Sequence, residues 1–184
     1  MIKRAKEEGK VFSTGVSINN LSLNENDIGD FKTFLKLSPP LRTEQDRLSL
    51  INAVGEGLIE VIVSDHKPED EESKRLTFAK AATGATGIET LLPLALELFH
   101  NNSLKLNTII ASITSNPGKI LGINKGSLQI GSDADLCVVD INKPWIVNKS
   151  DLLSKSKNTP IEDRKLRGQI IKTFIKGEIA FVRT

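Results

Sequence analysis

Apolar positions along this chain keep two different rhythms, and the change between them divides it. "IKRAKEEGK" carries little apolar surface and reads as the closing turns of a surface helix stopped at Gly9. "VFSTGVS", residues 11–17, then reads as a strand. The connection after it, "NNLSLNENDIGDFKTFLKLSPPLR", is long for an α/β protein, where long ordered loops often carry function; Pro39 and Pro40 stiffen its end. "TEQDRLSLINAVGEG" predicts a helix. Thr43 can cap it with Asp46 three residues on, Leu48, Ile51 and Val54 make its apolar stripe, and Gly55 and Gly57 close it. "IEVIVS", residues 59–64, is a nearly unbroken apolar run, as expected of a strand buried on both faces of a parallel sheet. Strand, loop, helix, strand is the order of a right-handed βαβ unit.

"GIETLLPLALELFHNN", "LKLNTIIASIT" and "SNPGKILGI" predict three more helices, with Pro117 suited to the first turn of the last. Near Gly126 the rhythm turns to strand. "GSLQIGSDADLCVVDI" predicts two strands around a Gly131-Ser132 turn, and "GQIIKTFIKGEIAFV" a second pair around Lys176-Gly177. The expected organisation is an α/β part over residues 1–125 and a small β-rich part over residues 126–184.

Composition narrows the function classes. Against 23 Asp+Glu stand 25 Lys+Arg, a net charge of +2, so no broad basic field calls for nucleic acid or an anionic membrane. No apolar stretch reaches transmembrane length, and "MIKRAKEEGKVF" lacks the apolar middle of a signal peptide. The single Cys137 cannot form an internal disulfide, which fits a reducing cytoplasm. Only two histidines occur, His66 and His100, whereas a catalytic zinc site normally takes three protein ligands, usually rich in His. The chain by itself is not expected to build a complete metal centre. His100 falls at a predicted helix end, where it can serve the last carbonyls.

Several segments, taken in order, resemble one family. "NPGKILGINKGSLQIGSDADLCVVD" is similar to the segment near the C-terminus of cyclic amidohydrolases, and "SKSKNTPIEDRKLRGQIIKTFIKGEIAF" resembles their dihydroorotase branch. "LSPPLRTEQDR" resembles that branch's Asn-Pro-Pro-Leu-Arg loop, "SDHKPED" its Asp-His-Ala-Pro-His motif, and "GIETLLPL" its Gly-x-Glu-Thr-x-x-Pro-Leu helix. The resemblance implies the C-terminal portion of a (β/α)₈ metal-dependent barrel followed by a small β-domain segment. Residues 11–17 would be the seventh barrel strand and 59–64 the eighth, with the site at the strands' C-terminal ends. It also implies a chain from a truncated or split reading frame, with the family's other metal ligands on the missing N-terminal part.

Asp65, directly after the second strand, would by general behaviour cap a turn more often than catalyse. The resemblance reverses this. It implies that Asp65 touches a metal ion, Zn2+ (one or two ions), and carries the proton between the attacking water and the ring nitrogen. It makes Ser38, Glu69, Thr83 and Gly84 substrate-binding positions. Three depart from the family: Ser38 replaces an asparagine, Thr83 a residue more often aromatic, and Glu69 a histidine that helps to hold the substrate carboxylate, which a glutamate would repel unless Glu69 is a solvated acid of "PEDEES". His66 stands in its usual place without a metal role, and Arg42 can shape the site. "ATGATG" lacks the Gly-Lys-Ser/Thr ending of a phosphate loop.

The resemblance implies reversible conversion of N-carbamoyl-L-aspartate to dihydroorotate in pyrimidine synthesis, with a small-molecule substrate and an inactive isolated chain. One alternative is another cyclic amide, such as allantoin or a hydantoin. The other is a non-catalytic homologue supporting aspartate carbamoyltransferase, and a homo-oligomer is also open.

Overall fold

The computed structural model describes residues 1–183. Helix α1 (Ile2–Glu7) ends at Gly9 as expected: the Gly9 N–H donates to Lys6 O and the Lys10 N–H to Ala5 O, satisfying carbonyls that the last turn leaves open. The strand predicted over residues 11–17 is shorter. β1 is Gly15–Ser17, paired in parallel with β2 (Val61–Val63), Val16 opposite Ile62; β2 is likewise shorter than residues 59–64. Just upstream the Glu60 and Val61 N–H groups both donate to Thr14 O, and a side-chain network adds to them. Thr14 Oγ1 donates to Leu58 O at 2.7 Å, and the Thr14 N–H donates to Glu60 Oε2 at 2.8 Å.

Helix α2 (Ile18–Ser22) follows β1, and α3 (Glu44–Gly55) precedes β2. The predicted cap of α3 is present: Thr43 Oγ1 accepts from the Asp46 N–H at 3.1 Å, and Asp46 Oδ2 from the Thr43 N–H at 3.3 Å. Its apolar stripe is only partly as expected. Ile51 and Val54 are buried, but Leu48 is 42 % exposed. At about 100° per residue Leu48 is turned roughly 120° from Val54, beyond the inward face.

Helices α4 (Glu71–Lys74), α5 (Leu91–His100), α6 (Leu106–Ile113) and α7 (Ser115–Ile120) follow β2, with Pro117 in the first turn of α7. The core joins Val16 and Ile62 of the strands to Ile18, Val54, Leu94 and Ile109 of the helices. Full burial of each such aliphatic side chain contributes roughly 1.5–3 kcal/mol.

The tail forms one antiparallel sheet in the order β3 (Leu136–Ile146), β4 (Lys165–Ile175), β5 (Glu178–Val182). Its Lys176-Gly177 turn is as predicted, with φ of 51° and 84°, the double positive φ of the tight hairpin turn whose twist matches its strands. The Gly131-Ser132 hairpin is not formed. A turn does occur there, the Ser132 N–H donating to Gln129 O, but Leu128 and Ile130 stand exposed without a cross-strand partner. Lys125 instead reaches Asp133 at 2.7 Å and Asp135 at 2.5 Å, and the strand beginning at Leu136 takes β4 as its partner. At Gly168 of β4 an added Cβ would fall 2.3 Å from Leu96 Cδ1, so α5 and the sheet meet where only glycine fits. His100 Nε2 lies 2.9 Å from Ile141 O. It therefore ties α5 to β3 rather than serving its own helix's carbonyls. Among the described residues no helix is long and apolar enough to cross a membrane.

Candidate active site

Because β1 and β2 run parallel, their C-terminal ends lie on one side, and the segments 18–42 and 64–90 both leave from it. Asp65 opens the second segment. Its φ is 49°, in the left-handed region that aspartate tolerates better than most residues. The capping role falls elsewhere: Asp70 accepts from the Glu72 N–H at 2.8 Å and caps α4. Among the described residues the Asp65 carboxylate has no hydrogen-bond or ion-pair partner, while its neighbours Glu69 and Asp70 are both engaged. It lines a cleft of about 410 Å³ with Gly15, Ser17, Asn20, Pro39 and Arg42.

Glu69 faces a different cleft, of about 790 Å³, shared with His66, Pro68, Lys149, Lys157 and Asn158. Its carboxylate is ion-paired to Lys67 Nζ at 3.2 Å, so the acid is not bare. Thr83 and Gly84 sit against the same stretch. Lys67 Nζ donates to Thr83 O at 2.8 Å, and the Lys67 N–H donates to Ala85 O at 2.8 Å. Gly84 has φ 140°, and a Cβ there would fall 2.7 Å from Lys67 O, so this approach requires glycine. Ser38 is exposed. It lies two positions after Lys36, whose carbonyl accepts from the Gly84 N–H at 3.0 Å, which brings the first segment to the second. Asp65 and Glu69 thus line separate clefts, while Lys67 bonds to both Glu69 and Thr83, and Gly84 is bonded to Lys36 and Asn158.

Three residues of this unit escaped sequence reasoning. Lys74, at the end of the acidic run "PEDEES", reads as a solvated charge, yet it is 1 % exposed. Its Nζ donates to Ala82 O at 2.8 Å, Thr33 O at 3.2 Å and Lys36 O at 3.4 Å. Burial pushes its pKa down to about 8, opposed by the Glu69 charge. Glu89, in the matched helix motif, accepts from the Leu153 N–H at 2.9 Å and the Ser154 N–H at 3.1 Å, anchoring the segment that precedes β4. Asn158, from that segment, reaches both loops. No spacing signal marks any of these bonds, because their partners are backbone atoms far away in sequence.

Zinc was expected from the resemblance. Among the described residues no three His, Cys, Asp or Glu side chains gather to hold a metal ion. His66 Nδ1 accepts from the Gly87 N–H at 3.1 Å, which occupies that nitrogen. Asp65 supplies one carboxylate without a partner among the described residues.

The parallel strands thus bring one unpartnered carboxylate, Asp65, to their C-terminal ends. The chain belongs to the amidohydrolase family, which it matches over residues 8–180. It is 37 % identical over 181 residues to a dihydroorotase of Ehrlichia canis, covering 98 % of this chain and 40 % of that protein. It is 36 % identical to a dihydroorotase of Aquifex aeolicus, covering 98 % of this chain and 43 % of that one. Among solved structures it superimposes on the L-hydantoinase (dihydropyrimidinase) of Arthrobacter aurescens with a TM-score of 0.93 and 28 % identity, over 100 % of this chain and 43 % of that one. The dihydropyrimidinase of Brevibacillus agri, at 24 % identity and a TM-score of 0.89 over 97 % of this chain and 41 % of that one, shares the fold. The chain thus spans about two fifths of the length of the curated relatives it matches.

Proposed function

We propose that this chain serves a dihydroorotase-type cyclic amidohydrolase, interconverting N-carbamoyl-L-aspartate and dihydroorotate. In this reading residues 1–125 belong to the C-terminal portion of a (β/α)₈ barrel and residues 126–184 to a small β-domain segment. The observation that carries it is Asp65: an unpartnered carboxylate in a left-handed turn at the end of a parallel strand, facing a cleft. Opening a cyclic amide requires water to attack the carbonyl and the departing nitrogen to gain a proton. Asp65 takes the proton from the water and returns it to the nitrogen, and ring closure runs the same transfers backwards. Thr83 and Gly84 present backbone to the ring, and Ser38 reaches it from the facing loop. Lys67 neutralises Glu69, so that the substrate carboxylate meets a paired acid. Asp65 is the one residue we assign to a metal. Among the described residues no second and third metal ligand gathers beside it. Oligomerisation and association with aspartate carbamoyltransferase stay proposals beside this one.

A second reading has an observation of its own. Glu69 stands where the dihydroorotase resemblance expects a carboxylate-holding histidine, and a hydantoinase superimposes closely, so a cyclic amide without that carboxylate also fits. The test is an assay of this chain, alone and joined to the coding sequence upstream of it, with dihydroorotate, N-carbamoyl-L-aspartate, hydantoin and allantoin. Dihydroorotate turnover by the joined protein is expected, with Asp65→Ala and Asp65→Asn reducing it by about 10²-fold or more. Retention of over roughly a tenth of the activity removes the proton-transfer role of Asp65. Turnover of hydantoin alone selects the second reading, and no turnover at all selects a non-catalytic homologue.

A further inference from the structure

We propose that Asn158 is a positioning residue: its buried carboxamide couples the loop carrying Glu69 to the loop carrying Thr83 and Gly84, so the segment before β4 sets the spacing of the substrate pocket. This deepens the proposed function and rests on its assignment of those two loops to substrate.

Asn158 is 2 % exposed, and its side-chain amide bonds to residues 89 and 74 positions away. Nδ2 donates to Gly84 O at 3.1 Å, and Oδ1 accepts from the Glu69 N–H at 3.3 Å. Its backbone carbonyl accepts from the Thr86 N–H at 3.2 Å. One side chain thus bridges the two loops on either side of α4, and its main chain adds a third tie. Ser156 fixes the amide. Its Oγ donates to Asn158 Oδ1 at 2.5 Å and also to Glu69 O. The segment itself is held by Glu89 on the Leu153 and Ser154 N–H groups. Buried amide bonds of this kind fix relative position, because an unmade one leaves a desolvated donor or acceptor behind.

Substrate held between two such loops is sensitive to their separation, and Asn158 bonds to both loops without touching Asp65. Loss of the bridge should therefore raise KM and spare kcat. Aspartate at 158 keeps the shape but sets an oxygen against Gly84 O, and that repulsion draws residue 158 off both loops, taking the acceptors of the Glu69 and Thr86 N–H groups with it.

The variants are Asn158→Asp and the milder Ser156→Ala, in the joined protein, with Leu166→Ala of the β4 core as a control for lost stability alone. Expected for Asn158→Asp is a KM for dihydroorotate raised roughly tenfold or more, with kcat within about threefold. Amide hydrogen exchange at Glu69 and Thr86 should rise together, while Leu166→Ala lowers the melting temperature without either change. Ser156→Ala should move KM and exchange the same way by less. Unchanged KM and exchange overturn the proposal, as does a fall in kcat at constant KM. If the parent protein turns over none of the substrates, the proposed function fails by itself. The exchange result then decides the coupling: joint loss of protection at Glu69 and Thr86 supports it, and loss at neither or only one overturns it.

Discussion

Asp65 and Glu69 lie four positions apart and illustrate how differently one acidic stretch is used. Asp65 is left without a partner in a turn, while Glu69 is folded back onto Lys67 at 3.2 Å. If Glu69 opposes a substrate carboxylate, Glu69→His removes a repulsion, adds a donor and frees Lys67. KM for N-carbamoyl-L-aspartate should then fall by an amount worth roughly 1–3 kcal/mol, with a smaller change in kcat and a gain that shrinks in salt. Steady-state kinetics at two ionic strengths checks this, and unchanged kinetics would make Glu69 a structural acid of the loop. Lys74 tests burial. Its pKa of about 8 in the folded chain lies below the 10.5 of a free lysine. Between those values the unfolded chain holds the proton that the native chain has released, so this group's contribution is full above pH 10.5 and is lost as pH falls toward 8. The three carbonyls favour the ammonium and oppose the shift, so the change is at most roughly 3 kcal/mol. Denaturation of Lys74→Met should lack this pH dependence and start about 1–3 kcal/mol less stable at pH 7, with three carbonyls stripped of their donor.

At the scale of elements, a few contacts between non-neighbouring segments decide the arrangement. Gly168 of β4 sits against Leu96 of α5 with φ 107°. Gly168→Ala should cost roughly 2–4 kcal/mol, because the backbone conformation excludes a side chain and the methyl enters Leu96. In a Leu96→Ala background, which itself loses a buried side chain, Gly168→Ala should cost less, and chemical denaturation of the two single variants and the double variant measures that coupling. The hairpin at Lys176-Gly177 was legible because its turn chemistry is local. The expected hairpin at Gly131-Ser132 was not formed although its turn signal was equally plain, since strand pairing also needs a partner edge, and β3 finds it in β4.

At the scale of the molecule, the two-stranded parallel sheet leaves Val63 43 % exposed, and Ile179, Phe181 and Val182 stand exposed on the sheet of the tail. Open edges and apolar faces of this kind favour association. The 184-residue chain expressed alone is therefore expected to self-associate and to retain no stoichiometric zinc after dialysis. Sedimentation and metal analysis check this, and a soluble monomer with bound zinc would contradict it.

What the sequence by itself determined is what depends on near neighbours. The Thr43–Asp46 cap, the stop at Gly9, the order strand, helix, strand, and the place of Asp65 after β2 all follow from spacing within a few residues. The family was legible in the same way, from short motifs in a fixed order. Tertiary structure decided the rest. Lys74 finds carbonyls 41, 38 and 8 positions away, and Asn158 reaches back 89 and 74 positions to Glu69 and Gly84. Such bonds leave no periodic trace, because a backbone carbonyl or N–H accepts a partner whatever side chain its residue carries.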